Sequence, residues 1–322
     1  MRSAIVRAFG GPEVVEMTHT TVPEITADQV LVRNYASGFN PLDTYLRAGR
    51  FPVLPKLPYF PGTDGAGVVQ KVGANVKNVK VGDRVWYGME SNSAAQYTAV
   101  NRVYPLPKRL FAGVSFSEGA SLGIPYIAAY RALFQLAGAK TGDVILVHGA
   151  SGGVGSALLQ LAAWQRIEAV GTAGSSAGLD FVKRLGAKNA YDHSREDYVC
   201  QLKKDYPKGF NFIFEMAAHK NLNADLGLLA PRGKIAVIGN KTETVIDARQ
   251  LMATEGAIFG MELIKITPAE LTDFGKNIAI FLRNTASRPV INKEYPLEKL
   301  SEAHKDIYTN SGARGNLVIR VD

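Results

Sequence analysis

The chain has 322 residues, 46% of them hydrophobic and 20% charged, the make-up of a soluble globular protein long enough for two domains. A single cysteine, Cys200, excludes an internal disulfide, and no apolar run reaches the roughly 18 residues of a membrane span. The formal charge of +8 comes from dispersed Lys and Arg, with Lys203-Lys204 the nearest thing to a cluster. That argues for a solvated surface more than a nucleic-acid track.

From the amino terminus the chain goes straight into a strand, without the apolar core of a signal peptide, so the cytoplasm is the expected address. Residues 29–35, 67–72, 81–85 and 95–100 read as short strands, punctuated by Gly and Pro. Pro105 and Pro107 close this β-rich region, whose spacing suits a compact sheet or barrel. Helical content begins near Ser117 and runs through residues 128–133. Strand and helix then alternate: strands at 144–147, 169–172, 210–214, 234–238 and 257–259, helices at 153–166 and 179–185. This order implies parallel strands with helical crossovers, an α/β doubly wound Rossmann sheet. A helix within residues 268–284 and a terminal strand at 316–321 complete the reading, and the sequence does not say which sheet that last strand joins.

The most informative stretch is Val144-Ile145-Leu146-Val147-His148-Gly149-Ala150-Ser151-Gly152-Gly153-Val154-Gly155. A buried strand runs into a glycine-rich turn that opens a helix, and a second strand follows at the right distance. A dinucleotide pyrophosphate needs backbone N–H donors at a helix amino end with no Cβ in the way. Ser151, Gly152, Gly153, Val154 and Gly155 are therefore the expected cradle. NAD-specific versions carry an acid about 20 residues further on, to hold the ribose. Here the second strand ends Thr172-Ala173-Gly174-Ser175-Ser176, with no carboxylate to repel a 2′-phosphate. The expected cofactor is NADPH.

Two earlier segments, Gly38-Phe39-Asn40-Pro41-Leu42-Asp43-Thr44-Tyr45 and Pro61-Gly62-Thr63-Asp64-Gly65-Ala66-Gly67, complete a pattern with Gly123-Ile124-Pro125-Tyr126 and the cradle. Together they resemble the quinone oxidoreductase (zeta-crystallin-like) branch of the medium-chain dehydrogenase/reductase superfamily, over essentially the whole chain. The resemblance implies a β-rich GroES-like catalytic domain, residues 1–122 completed by 289–322, and a Rossmann domain at 123–288. It implies Asn40, Asp43 and Tyr45 as catalytic residues, with Asn40 placing the nicotinamide, Tyr45 offering a hydroxyl and Asp43 anchoring the loop. It also implies cofactor contacts from Asn40, Tyr45, Gly174, His193, Asn221, Gly239, Asn240, Lys241 and Arg314. Turn chemistry alone can account for Asn40 and Asp43 ahead of a helix, and Tyr45 can equally be packing. Phe51 stands where many relatives have a second tyrosine.

Zinc-dependent members of the superfamily need Cys and His ligands where this chain has Asn40, Thr63 and Ile124 or Pro125, so no metal is expected. Without a Lewis acid the suitable acceptors are electron-poor ones that delocalise an incoming hydride. The expected activity is an NADPH-dependent quinone reductase acting as a homo-oligomer. Two alternatives stay open: an enone or alkenal double-bond reductase, and a non-catalytic NADPH-binding structural or RNA-binding protein. No aromatic-basic RNA motif is present.

Overall fold

The computed structural model describes residues 1–107, 113–309 and 314–321, which divide into two compact units. Unit 1 comprises residues 1–125, 278–311 and 315–322, and unit 2 residues 126–277 and 312–314. The chain thus returns to unit 1 at Ile278, inside a helix, not at 289.

Unit 1 begins with β1 (Arg2–Val6), β2 (Val15–His19), β3 (Val30–Phe39), helix α1 (Pro41–Arg47) and β4 (Asp64–Val72). It continues through β5 (Arg84–Tyr87), β6 (Tyr97–Val100), β7 (Tyr104–Pro105) and α2 (Phe116–Ala120), and α3 (Ile124–Tyr130) carries the chain into unit 2. In unit 2, β8 (Val144–Val147), α4 (Gly153–Trp164), β9 (Glu168–Ala173), α5 (Ser176–Arg184), β10 (Asn189–Asp192), α6 (Tyr198–Asp205), β11 (Phe210–Glu215) and α7 (Ala218–Leu226) alternate. After them come β12 (Leu229–Val237), α8 (Ala248–Thr254), β13 (Ala257–Gly260) and α9 (Pro268–Asn284). The chain closes with β14 (Ile291–Pro296), α10 (Leu300–Thr309) and β15 (Asn316–Arg320).

Unit 2 carries a six-stranded sheet in the order β10-β9-β8-β11-β12-β13, every neighbouring pair parallel. Counted within the unit this is the 3-2-1-4-5-6 order of a doubly wound dinucleotide-binding sheet. Its strands read as unbroken apolar runs because helices cover both faces. Leu146, Val170, Ile213 and Ile235 meet Leu202, Leu222 and Leu226 in one core cluster. Helix α4 is buried from Gly155 to Ala162, which is why its sequence is apolar nearly all round.

Unit 1 holds a sheet in the order β14-β15-β3-β4-β5-β7, with β6 also on β3. The terminal strand β15 lies between β14, to which it is parallel, and β3, to which it is antiparallel. The sheet left open by the sequence is therefore that of unit 1. Val30 and Val32 of β3 pack with Val69, Val85 and Val100, while Phe39 at its far end packs with Tyr295, Leu317 and Ile319. The strand expected at 81–85 starts only at Arg84, because Gly82 takes a φ of 87° in a turn and leaves Val81 exposed. Among the described residues no helix is long and apolar enough to cross a membrane.

Candidate functional site

In unit 2 the glycine-rich stretch forms the turn between β8 and the start of α4. Gly152 is the N-cap of α4, with extended backbone, and Gly152 N–H closes a turn onto the Gly149 carbonyl. The N–H groups at the start of α4 have no partner inside the helix, and the helix dipole makes this end favourable to an anion. Gly155 lets the helix sit close to its strand: a Cβ there would lie 2.4 Å from the Gly149 carbonyl oxygen. The backbone donors at this helix start are of the kind that suits a pyrophosphate.

At the neighbouring strand end, β9 finishes at Ala173 and Gly174 follows. A Cβ on Gly174 would stand 2.9 Å from His193 Nε2, so the His193 ring lies directly beside this strand end. The His193 backbone N–H bonds the Ala173 carbonyl, fixing the loop after β10 beside β9. Gly239 lies just beyond β12, its Cα close against the Met216 backbone. Asn240 and Lys241 follow it on the surface, and Asn240 donates to the Thr242 carbonyl. Arg314 is exposed and groups with unit 2. Asn221 on α7 is engaged elsewhere: its amide donates to Glu215 Oε1 at 3.3 Å and its oxygen takes a bond from the Tyr198 hydroxyl.

Beneath the cradle lies a buried polar cluster. His148 Nε2 is 2.9 Å from Asp225 Oδ1 and 3.8 Å from Glu215 Oε2, and all three residues are at most 1% exposed. Burial alone would depress the His148 pKa, but Asp225 and Glu215 outweigh it and raise it. Burial pushes Glu215 up, opposed by His148 and reinforced by Asp225, with which it shares a side-chain hydrogen bond. Glu215 Oε2 and Asp225 Oδ2 receive no N–H or hydroxyl donor. These are the only three ligand-type side chains brought within metal-binding distance among the described residues. The His148–Asp225 hydrogen bond ties the cluster together.

In unit 1 a second site gathers around α1. Asn40 is its N-cap, and Asp43 Oδ2 accepts the Asn40 backbone N–H at 2.8 Å, a capping arrangement that explains the position of Asp43 by local helix chemistry. The Asn40 side chain does more. Its Nδ2 donates to Asp64 Oδ2 at 2.7 Å, and the same oxygen accepts the Ile124 backbone N–H at 2.7 Å. Asp64 is fully buried at the start of β4, and burial lifts its carboxyl to about 8 despite these donors, with Asp43 adding to the rise. Burial lifts Asp43 to about 7, against the bonds from Asn40 and Thr63. Gly123 permits this contact, since a Cβ there would overlap the Asp64 carboxyl. Tyr45 stands half-buried on α1.

Two residues of this site lie outside the sequence-derived set. Asp64 was visible only as part of a glycine-rich stretch, because its partners are 24, 25 and 60 positions away. Tyr59 presents a buried hydroxyl with no hydrogen-bond partner, and its pKa is raised by burial and then by the nearby Asp43. An unpaired buried hydroxyl is costly, and so it marks a place where a polar ligand atom fits. At the positions where zinc-dependent relatives carry ligands the chain has Asn40, held by Asp64, Thr63, which donates weakly to Asp43 at 3.5 Å, and Ile124.

Residues 26–123 match the alcohol dehydrogenase GroES-like domain family, and residues 153–278 match the family described as zinc-binding dehydrogenase. Over 99% of its length the chain is 41% identical to the quinone oxidoreductase of Rattus norvegicus, spanning 97% of that protein. It is 40% identical to the quinone oxidoreductase of Homo sapiens, over 99% of this chain and 97% of that one. Among solved structures, the Escherichia coli quinone oxidoreductase complexed with NADPH superimposes with a TM-score of 0.86 at 25% identity, covering 99% of this chain and 100% of that one.

Proposed function

The chain belongs to the quinone oxidoreductase branch of the medium-chain dehydrogenase/reductase superfamily, and from that premise we propose that it is a zinc-independent, NADPH-dependent reductase of quinones and similar electron-poor acceptors. The observation that carries the reading is the pairing of an α4 terminus suited to an anion with a β9 end that has no acid and sets Gly174 beside His193. When bound, NADPH supplies a hydride. Ser151, Gly152, Gly153 and Val154 hold its pyrophosphate through backbone N–H groups. Gly174 and His193 receive its adenosine end, with Gly239, Asn240, Lys241 and Arg314 adding to the same dinucleotide surface.

Unit 1 is the catalytic domain in this reading. Asp64 clamps the Asn40 amide, fixing the side chain that is assigned to the nicotinamide side of the cofactor. Asp43 fixes the loop through the α1 cap. A tyrosine hydroxyl, Tyr45 or the unpaired Tyr59, donates to the acceptor oxygen as negative charge builds on it. A delocalised quinone needs no Lewis acid for this step, in keeping with Asn40, Thr63 and Ile124 at the ligand positions. The protein acts in the cytoplasm as a homo-oligomer.

The test is NADPH oxidation with a panel of quinones, enones and alkenals, before and after chelator treatment. Quinones should be reduced fastest, at a rate the chelator does not change. Preference for alkenals would select the double-bond reductase reading. Stoichiometric zinc whose removal abolishes activity would overturn metal independence.

A further inference from the structure

The buried cluster of unit 2 is joined to the adenosine end of the site by a single hydroxyl. Thr172, fully buried in β9, has three neighbours at its Oγ1: His148 Nδ1 at 3.3 Å, His193 Nδ1 at 3.1 Å and the Gly149 backbone N–H at 3.2 Å. A hydroxyl has one proton to give and two lone pairs to receive with. Gly149 fills one lone pair. The other can accept one ring N–H, and the hydroxyl proton must then go to the other ring. The two histidines are therefore forced into opposite states at Nδ1, one protonated and one bare.

Which is which follows from the far side of His148. Its Nε2 sits on Asp225 Oδ1 and donates to it, so Nδ1 carries a proton as well only if the ring is an imidazolium. The groups facing that ring are Asp225 from α7, Glu215 from β11 and the edge-on Tyr198 from α6. The carboxyls of Asp225 and Glu215 beside it favour the charged ring. His148 Nδ1–H then donates to Thr172, Thr172 donates to His193 Nδ1, and the proton of a neutral His193 is left on Nε2. The charged groups around His193 are Asp192, Lys220 and His148 itself. Burial first, and the His148 charge next, lower the His193 pKa and keep that ring neutral.

We propose that His148 and Thr172 are positioning residues that lock His193 in its Nε2–H tautomer, presenting an N–H donor beside Gly174 to a phosphate on the adenosine ribose and so favouring NADPH over NADH. This rests on the NADPH reading of the site. The opposite tautomer would offer a bare nitrogen lone pair to the phosphate oxygens, and would repel them.

Long-range proton–nitrogen spectra of the cofactor-free protein, labelled at histidine with ¹⁵N, read the tautomer directly. The His193 signals are those missing from His193→Gln. In the wild type His193 should show a protonated Nε2 and a bare Nδ1. Thr172→Val should mix the two forms and lower the ratio of NADPH to NADH affinity about tenfold, the order of one charge-assisted hydrogen bond. Thr172→Ser should restore both readouts. A wild-type His193 protonated on Nδ1 would overturn the relay, as would an unchanged affinity ratio in a folded Thr172→Val. Should Val at this buried position prevent folding, the wild-type and Thr172→Ser tautomers still decide. Equal affinities for NADPH and NADH in the wild type would instead overturn the NADPH reading, and with it the phosphate half of the proposal, whatever the tautomer.

Discussion

Two tyrosines compete for the role of donor to the acceptor oxygen, and their environments separate them. Removing the Tyr59 hydroxyl deletes a buried polar atom that has no partner, so Tyr59→Phe should leave stability unchanged or raise it by up to about 1 kcal/mol in a denaturant titration. If Tyr59 also donates during turnover, kcat falls while the NADPH dissociation constant holds. Tyr45→Phe should lower kcat by about 10²–10³-fold if Tyr45 is the donor. A kcat kept by one variant and lost by the other names the residue. His304 offers a stability prediction. It is buried on α10 against the Phe39 ring, neither ring nitrogen has a hydrogen-bond partner, and burial, with Arg47 adding to it, depresses its pKa to about 3. Unfolded, the ring takes up a proton below about 6.5, so this residue's contribution is intact above that pH and is lost as pH falls toward 3. The stability of His304→Leu relative to wild type should rise by about 2 kcal/mol between pH 7 and pH 5. A pH-independent difference would show that His304 is protonated in the folded protein.

At the scale of elements, what the sequence disclosed depended on how local the cause was. The strand at 144–147, its glycine turn and α4 lie in one continuous stretch, and apolar runs with glycine punctuation sufficed to place them. The 81–85 strand was misplaced at its start because the left-handed backbone of Gly82 outweighs the strand propensity of Val81. Asp43 was legible as local polar chemistry at a helix start because its partner is three positions away, though it lies inside α1 and not ahead of it. Asp64, Tyr59 and the His148–Asp225 pair were not, since a contact across 77 positions leaves no local pattern. The packing of α4 can be tested by adding one methyl group. Gly155→Ala would press a Cβ onto the Gly149 carbonyl, 2.4 Å away, forcing α4 off β8. We expect a loss of about 1–3 kcal/mol, seen as a lower melting temperature, together with weaker NADPH binding. An unchanged melting temperature would mean that the close approach is not needed.

For the whole molecule, the arrangement of the two units carries a prediction of its own. Unit 2 runs almost without interruption from 126 to 277, whereas unit 1 is assembled from both ends of the chain. A chain ending at residue 313 loses β15, and with it both the ladder to β3 and the partner of β14. Its Leu317, Val318 and Ile319 leave the core of unit 1 as well. Hydrogen exchange should then show β3 and β4 unprotected while the amides of β8, β9 and β11 keep their protection. Uniform loss in both units would mean that they unfold as one.

The seating of β15 between β14 and β3 also sets a timetable. On the ribosome, β3 emerges some 280 residues before the strand that must lie beside it. Throughout that interval one edge of β3 offers unpaired N–H and C=O groups, an open template for strands of other chains. The main run of unit 2, residues 126–277, precedes β14 and can close before β15 arrives. The nascent chain thus spends most of its synthesis with the sheet of unit 1 unfinished, and that is the period in which a chaperone would be of use to it.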